Sequence, residues 1–255
     1  MCLILVAYKT NPDLPLVIAA NRDEFHSRPT QKADWWADDP DMLGGRDLQA
    51  GGTWLAVHRR GRFAAVTNFR DADAPPRGKH SRGSLVTRFL QGVMTPGEYV
   101  DSLHGDSYAG FNLLVYDGDS LAYYSNRSSE HGLLAPGVYG LGNATLDTTW
   151  EKVERGKQGL QSLLASKSVN ETTLLRLLAD RKKGPVEEAR SDRLPFTTAH
   201  ALTAPFIVLP EYGTRCSSVV LADSTGKWSM LERRFSANGE KSGESRFSFS
   251  TVDGQ

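Results

Sequence analysis

The chain has 255 residues, thirty of them basic and thirty acidic, so its formal net charge is zero. That balance, without any basic run, argues against a nucleic-acid partner. With 39% hydrophobic and 24% charged residues, the composition is that of an ordinary globular protein. No apolar stretch approaches the roughly 18–20 residues that cross a bilayer, so no membrane span is expected. Met1-Cys2-Leu3 has no basic leader and two cysteines cannot staple a framework, which points to a soluble cytoplasmic protein.

The first elements are two short apolar runs, Leu3 to Tyr8 and Leu14 to Ala20, split by Asn11-Pro12-Asp13, and they predict a β-hairpin. Trp35 and Trp36 stand in a polar loop, as pocket lining or as packing that holds the loop down. Gly44, Gly45, Gly51 and Gly52 mark tight turns at the rim of a site, since no phosphate-loop pattern accompanies them. Thr53–His58 and Arg62–Phe69 form a second hairpin around Arg59-Arg60-Gly61. Ser84 to Leu90 then has helical spacing, and Thr95-Pro96-Gly97-Glu98 opens a short second helix with a capping box.

Phe111–Tyr116 and Leu121–Tyr124 flank Asp117-Gly118-Asp119 as a third hairpin, and Val138–Leu141 is expected to pair beside it. Trp150 to Leu164 is helical, and Asn170 caps another helix carrying Leu174, Leu175, Leu177 and Leu178. Lys182 to Ala204 is polar and is expected to be a long exposed loop. Cys216–Ala222, Trp228–Phe235 and Arg246–Thr251 close the chain as strands, with Cys216 a buried thiol. Strands at both ends and paired helices in the middle do not suit a parallel doubly wound sheet. They suit an α+β, four-layer αββα sandwich of two antiparallel sheets. With no linker and no repeat, residues 1–255 are expected to form one domain.

The chemistry begins at Cys2. Removal of Met1 would leave a thiol and a free α-amine on one residue, the amine having an ordinary pKa of about 7.7–8.0 and so able to serve as general base. Against this stands the plain reading of Cys2 as a small core residue. The segment Val17 to Phe25 runs from an apolar strand into Asn21-Arg22-Asp23-Glu24. In a hairpin the end of strand two lies beside the start of strand one, which puts Asn21, Arg22 and Asp23 next to Cys2. There Arg22 can stabilise a thiolate and Asp23 can hold the ammonium. The six histidines are scattered and no metal site is expected.

Met1-Cys2, Ala20-Asn21-Arg22-Asp23-Glu24-Phe25 with Ser27-Arg28-Pro29, Gly51-Gly52-Thr53-Trp54-Leu55, Thr67-Asn68, Gly83-Ser84-Leu85-Val86, Gly110-Phe111-Asn112-Leu113, Tyr139-Gly140-Leu141 with Asn143-Ala144, and Tyr212-Gly213-Thr214-Arg215 follow in order along the chain. Together they resemble the NRDE family, also called the transport and Golgi organisation protein 2 family. The resemblance implies the fold of N-terminal-nucleophile hydrolases, similar in layout to the branch containing penicillin V acylase and bile salt hydrolase. It implies catalytic roles for Cys2, Arg22 and Asp23, oxyanion donors at Asn68 and Asn143, and a late arginine, Arg215, near the nucleophile. Arg and Asp stand three apart in those acylases but are adjacent here, which leaves Asn21 and Glu24 open for one of the roles. Arg28, Trp54 and Asn112 join Asn21 and Glu24 as expected ligand contacts.

Two functions follow from this reading. One is a cysteine amidohydrolase or acyltransferase acting on a small amide or acyl compound, with no cofactor required. The other is a haem or lipid/acyl-CoA carrier using the same cleft, with haem as a transient ligand, which the family's links to secretion, lipid metabolism and haem movement imply. The character of the cleft beside Cys2, polar slot or apolar trough, separates them. The sequence leaves the oligomeric state open.

Overall fold

The computed structural model describes residues 2–69, 80–128, 130–189 and 194–252. β1 (Cys2–Tyr8) and β2 (Leu16–Phe25) form the first hairpin, with the Leu14 amide donating to the Asn11 carbonyl across the turn. β2 is longer than expected: Asn21 to Phe25 stay in the strand instead of leaving it as a loop. β3 (Thr30–Trp36) and β4 (Asp39–Asp47) make a further hairpin where a polar loop was expected. β5 (Leu55–His58) and β6 (Arg62–Asn68) follow, turning at Gly61 with φ 73°.

Helices α1 (Gly83–Gln91) and α2 (Pro96–Asp101) come next, and α2 starts with the expected Thr95–Glu98 capping box. β7 (Phe111–Tyr116), β8 (Leu121–Ser125), β9 (Gly132–Leu133) and β10 (Gly137–Leu141) precede α3 (Glu151–Ala165) and α4 (Glu171–Leu178). α5 (Phe196–Ala201), with Ala199 buried, interrupts the stretch expected to be an exposed loop; residues 190–193 of that stretch lie outside the described residues. β11 (Tyr212–Ala222), β12 (Lys227–Phe235) and β13 (Lys241–Ser250) end the chain.

The strands sort into two antiparallel sheets, ordered β10-β1-β2-β11-β12-β13 and β3-β4-β5-β6-β7-β8-β9. Alternation gives each strand an inner and an outer face. Ile4, Val6, Ile18 and Val220 of one sheet meet Leu55, Phe63, Ala65 and Leu114 of the other in the central core. The outer face of the first sheet, Leu3, Leu5, Val17 and Ala19, is covered by α3 and α4. The outer face of the second, Ala64, Leu113 and Val115, is covered by α1 and α2. This is the expected αββα sandwich.

Three expectations need correction. β10 pairs with β1, matching Ile4 to Leu141, and not with the β7–β8 hairpin. Gly44 and Gly45 lie inside β4, where Gly45 leaves room for the Trp54 ring; Gly51, at φ 77°, is a true turn. Trp35 and Trp36 are packing: Trp35 sits edge-on to Phe249 with ring centres 5.3 Å apart, and the Trp36 indole donates to the Gly44 carbonyl at 3.0 Å. Cys216 is buried as expected, 4% exposed.

Candidate active site

The hairpin register sets Cys2 directly across from Arg22, and on its other side β2 sets Arg22 across from Cys216. The Arg22 guanidinium lies 4.0 Å from the centre of the Trp54 ring and donates to Thr30 Oγ1 at 3.0 Å. It therefore faces the second sheet, on the same side of its sheet as Cys2. Asp23, one residue on, takes the opposite face of β2. Its Oδ1 accepts from Thr214 Oγ1 at 2.7 Å, and its backbone carbonyl accepts from the Tyr212 hydroxyl at 2.8 Å.

Asn143 closes the site from the loop after β10. The Cys2 nitrogen donates to Asn143 Oδ1 at 2.9 Å, and Asn143 Nδ2 donates to the Asn68 carbonyl at 2.7 Å. One bond needs an oxygen and the other an N–H, so the amide orientation is fixed by its partners. One N–H of Asn143 Nδ2 is used by the Asn68 carbonyl. The loop itself is braced. Asn112 Nδ2 donates to the Ala144 carbonyl at 2.9 Å, and Thr67 Oγ1 donates to the Gly142 carbonyl at 2.9 Å.

Burial is the dominant electrostatic influence. It raises the Cys2 thiol above its ordinary value, and Asp23 adds to that, while the Arg22 guanidinium pulls the other way. The thiolate-stabilising effect expected of Arg22 is thus present but outweighed by the cost of desolvating the thiolate. Burial likewise raises the Asp23 carboxyl to about 6, against the lowering pull of Lys152, Thr214 and Arg22. Lys152 is a lysine of α3 only 1% exposed.

Cys2 opens on a cleft of about 500 Å³ bordered by Arg22, Asp23, Glu24, Arg28, Trp54, Asn68 and Arg82. Its wall is largely polar: Arg28 pairs with Asp47 at 2.6 Å and reaches Glu24 at 3.9 Å. Cys2, Arg22, Asp23, Asn68 and Asn143 are therefore brought together, with Glu24, Arg28 and Trp54 on the cleft wall.

Three expected contacts are not on that wall. Asn21 turns to the helices, where Nδ2 donates to the Leu178 and Pro205 carbonyls and Oδ1 accepts from Ser217 Oγ at 2.6 Å. Asn112 is fully buried with every bond internal, its Oδ1 accepting from the Tyr123 hydroxyl at 3.0 Å. Arg215 stands at a bulge in β11 and donates to the Phe25 and Arg28 carbonyls, bracing the end of β2 instead of reaching Cys2. Residues missed by the sequence reading are Thr214, which holds Asp23, and Arg82. Thr214 lies inside a motif already singled out, Tyr212-Gly213-Thr214-Arg215, and Arg82 adjoins another, Gly83-Ser84-Leu85-Val86.

Among the described residues, no group of three His, Cys, Asp or Glu side chains is placed to hold a metal ion. No helix among them is long and apolar enough to cross a membrane.

A family model described as Transport and Golgi organisation 2 matches residues 1–237. The chain belongs to that family. The Transport and Golgi organization protein 2 homolog of Bos taurus is 36% identical over 256 residues, covering 91% of this chain and 92% of that one. The Drosophila melanogaster Transport and Golgi organization protein 2 is 30% identical over 261 residues, covering 91% of each. Among solved structures, the Caenorhabditis elegans N-acylethanolamine-hydrolyzing acid amidase ortholog aligns with TM-score 0.52 at 10% identity, covering 86% of this chain and 92% of that one. A variant of the conjugated bile acid hydrolase from Clostridium perfringens aligns with TM-score 0.53 at 10% identity, covering 99% and 98%. At such identity these likenesses speak to the fold alone. This member of the Transport and Golgi organisation 2 family has the fold of N-terminal-nucleophile hydrolases.

Proposed function

We propose that the protein is a cysteine amidohydrolase or acyltransferase of the N-terminal-nucleophile type, acting on a small amide or acyl compound. The observation that carries this is the position of the Cys2 nitrogen, held by Asn143 Oδ1 at 2.9 Å beside its own thiol, Arg22 and Asp23. Removal of Met1 turns that nitrogen into an α-amine. Its hydrogen bond to Asn143 orients the lone pair, which takes the Sγ proton as sulfur attacks the substrate carbonyl carbon. The carbonyl π electrons move onto oxygen, which receives the second N–H of Asn143 and, in this reading, the side chain of Asn68. Collapse breaks the carbon–nitrogen bond and the ammonium returns its proton to the leaving amine, leaving a thioester on Cys2. Water, or another acyl acceptor, then releases the acyl group with the α-amine again as base.

The solved neighbours are named as an amidase and a hydrolase, which supports the same reading. The polar cleft favours it over the haem or lipid carrier, which calls for an apolar trough at Cys2. Incubation of protein lacking Met1 with N-acyl p-nitroanilides, followed by intact mass measurement, tests it. The expected result is p-nitroaniline release with one acyl group added at Cys2, and neither in Cys2→Ala. Undiminished turnover in Cys2→Ala, or protein isolated from its native cells that retains Met1, refutes the mechanism.

A further inference from the structure

Among the described residues Lys152 is the only buried lysine. Burying an ammonium is costly unless an opposite charge stands close. The other cations of α3 reach acids nearer the surface: Arg155 lies 3.0 Å from Glu151 and 2.6 Å from Asp180, and Lys157 lies 2.9 Å from Asp147. Lys152 is turned into the molecule instead.

The packing of α3 fixes where it goes. Gly156 meets Leu5 of β1 so closely that a Cβ there would lie 2.8 Å from Leu5 Cδ2. Val153 fills the space over Gly140, and the Trp150 ring lies against Gly142. Leu5 pairs with Gly140 and Ile4 with Leu141, so the step from Gly140 to Gly142 runs toward Cys2. The helix therefore begins over the Cys2 end of the sheet. Lys152, one turn before Gly156 on the same side of the helix, comes down on the outer face of the sheet at that end. Its Nζ is 5.7 Å from the centre of the Trp150 ring, and Gly142 beneath that ring precedes the Asn143 that holds the Cys2 nitrogen. Asp23 occupies the same outer face, one residue beyond the Arg22 that pairs with Cys2. Charge reports the same nearness. Burial pushes the Asp23 carboxyl up to about 6, and Lys152 is among the cations pulling it down.

This grouping meets a difficulty in the chemistry at Cys2. A carboxylate beside an α-amine raises the amine from its ordinary 7.7–8.0 by about 1–3 units, which would leave the base protonated at neutral pH. A second cation on the same carboxylate offsets that pull. We propose that Lys152 is a positioning residue for the reaction, sharing Asp23 with the Cys2 α-amine so that the carboxylate orients the amine without retaining a proton on it. This rests on the reading of Cys2 as nucleophile with its own amine as base.

No other charge around the amine replaces Lys152. Arg22 faces the opposite layer, against Trp54 and Thr30, while Arg82 and Glu24 lie on the cleft wall. On α3, Glu151 is engaged by Arg155 and Glu154 is partly exposed. From β11 come the neutral Thr214 and Cys216, whose thiol burial pushes well up.

The amine can be titrated without turnover, in protein lacking Met1 and carrying Cys2→Ala. Trace acetylation with acetic anhydride, read by mass spectrometry on the N-terminal peptide across a range of pH, gives the midpoint at which half of the amine is uncharged. Lys152→Met, similar in length and uncharged, should raise that midpoint by about 1–3 units. Lys152→Arg should keep it close to the native value, as should Lys227→Met at the far end of β12. Asp23→Asn should lower it, and the double variant should fall between the two single ones. Should Lys152→Met fail to fold, the double variant compared with Asp23→Asn measures the same shift. In p-nitroanilide turnover the rising limb of kcat/KM should move up with the midpoint in Lys152→Met and return in Lys152→Arg. A midpoint that stays or falls on loss of the Lys152 charge overturns the inference and leaves Lys152 as packing between α3 and the sheet. Absence of turnover with the midpoint shifted as expected refutes the catalytic reading alone, so the two fail separately.

Discussion

Asp23 is 3% exposed, and burial raises its carboxyl to about 6 from an ordinary 3.8. An acid whose pKa is higher in the folded chain binds its proton more tightly there, so folding is penalised once that proton is lost. The penalty is absent below the unfolded value, grows as pH rises from 3.8 to about 6, and is complete above that. Two pKa units correspond to about 3 kcal/mol. Asp23→Asn keeps an oxygen for Thr214 and removes the charge. It should melt at a higher temperature than the native protein at pH 8, converge with it near pH 4, and lose turnover. Equal melting temperatures at pH 8 would show that Asp23 carries no buried charge. At Cys2 the direction is also set: Arg22→Ala removes a lowering influence, so the thiol should be alkylated at higher pH than in the native protein. A profile that stays put or moves to lower pH contradicts the placement of Arg22.

One wall of the cleft depends on a contact between glycines. The Gly51-Gly52-Thr53 turn presses on the first residue of α1, so closely that a Cβ on Gly52 would lie 2.6 Å from the Gly83 carbonyl carbon. Backbone cannot yield as a flexible side chain does. Gly52→Ala should therefore cost about 1–3 kcal/mol in denaturant unfolding, as overpacking does, and move Arg82 relative to Cys2. Gly51, with φ 77° and open space around its Cα, is held by conformation alone. Opposite this wall, the Asn143 loop hangs on Asn112 and Thr67. Asn112→Ala takes the acceptor from the Tyr123 hydroxyl, which keeps only the bond it accepts from Leu146 N, and a donor from the half-buried Ala144 carbonyl, at about 1–3 kcal/mol in all. Its effect on catalysis should follow from the displacement of Asn143, and a variant that unfolds easily yet keeps full turnover would show the loop to be independent of Asn112.

The central core takes side chains from both sheets, so neither sheet can bury its inner face alone. Ile18→Ala in one sheet and Leu114→Ala in the other should each cost about 2–5 kcal/mol. Both should shift the far-ultraviolet and near-ultraviolet circular dichroism transitions together. Separate transitions for the two sheets would refute that coupling.

Much of this molecule is local and was legible as such. The Asn11-Pro12-Asp13 turn fixes the first hairpin, and its register alone brings Arg22 across from Cys2. The Thr95 and Asn170 caps open their helices where the side chains can satisfy free amides. Alternation and helical spacing, with the order of elements, give the sandwich. What the sequence could not decide is which distant backbone pairs with which, since every strand edge offers the same hydrogen-bonding groups. β10 chose β1 over the nearer β7–β8 hairpin, and that choice carries Asn143 to a nitrogen 141 residues away. Nor could it say which way each polar residue turns at the end of β2. Because Asn21 to Glu24 remain in the strand, neighbours face opposite layers: Arg22 points to the cleft, Asn21 to the helices. Arg82 is an unremarked arginine in the sequence, and only the meeting of α1 with the Gly52 turn places its charge beside the thiol.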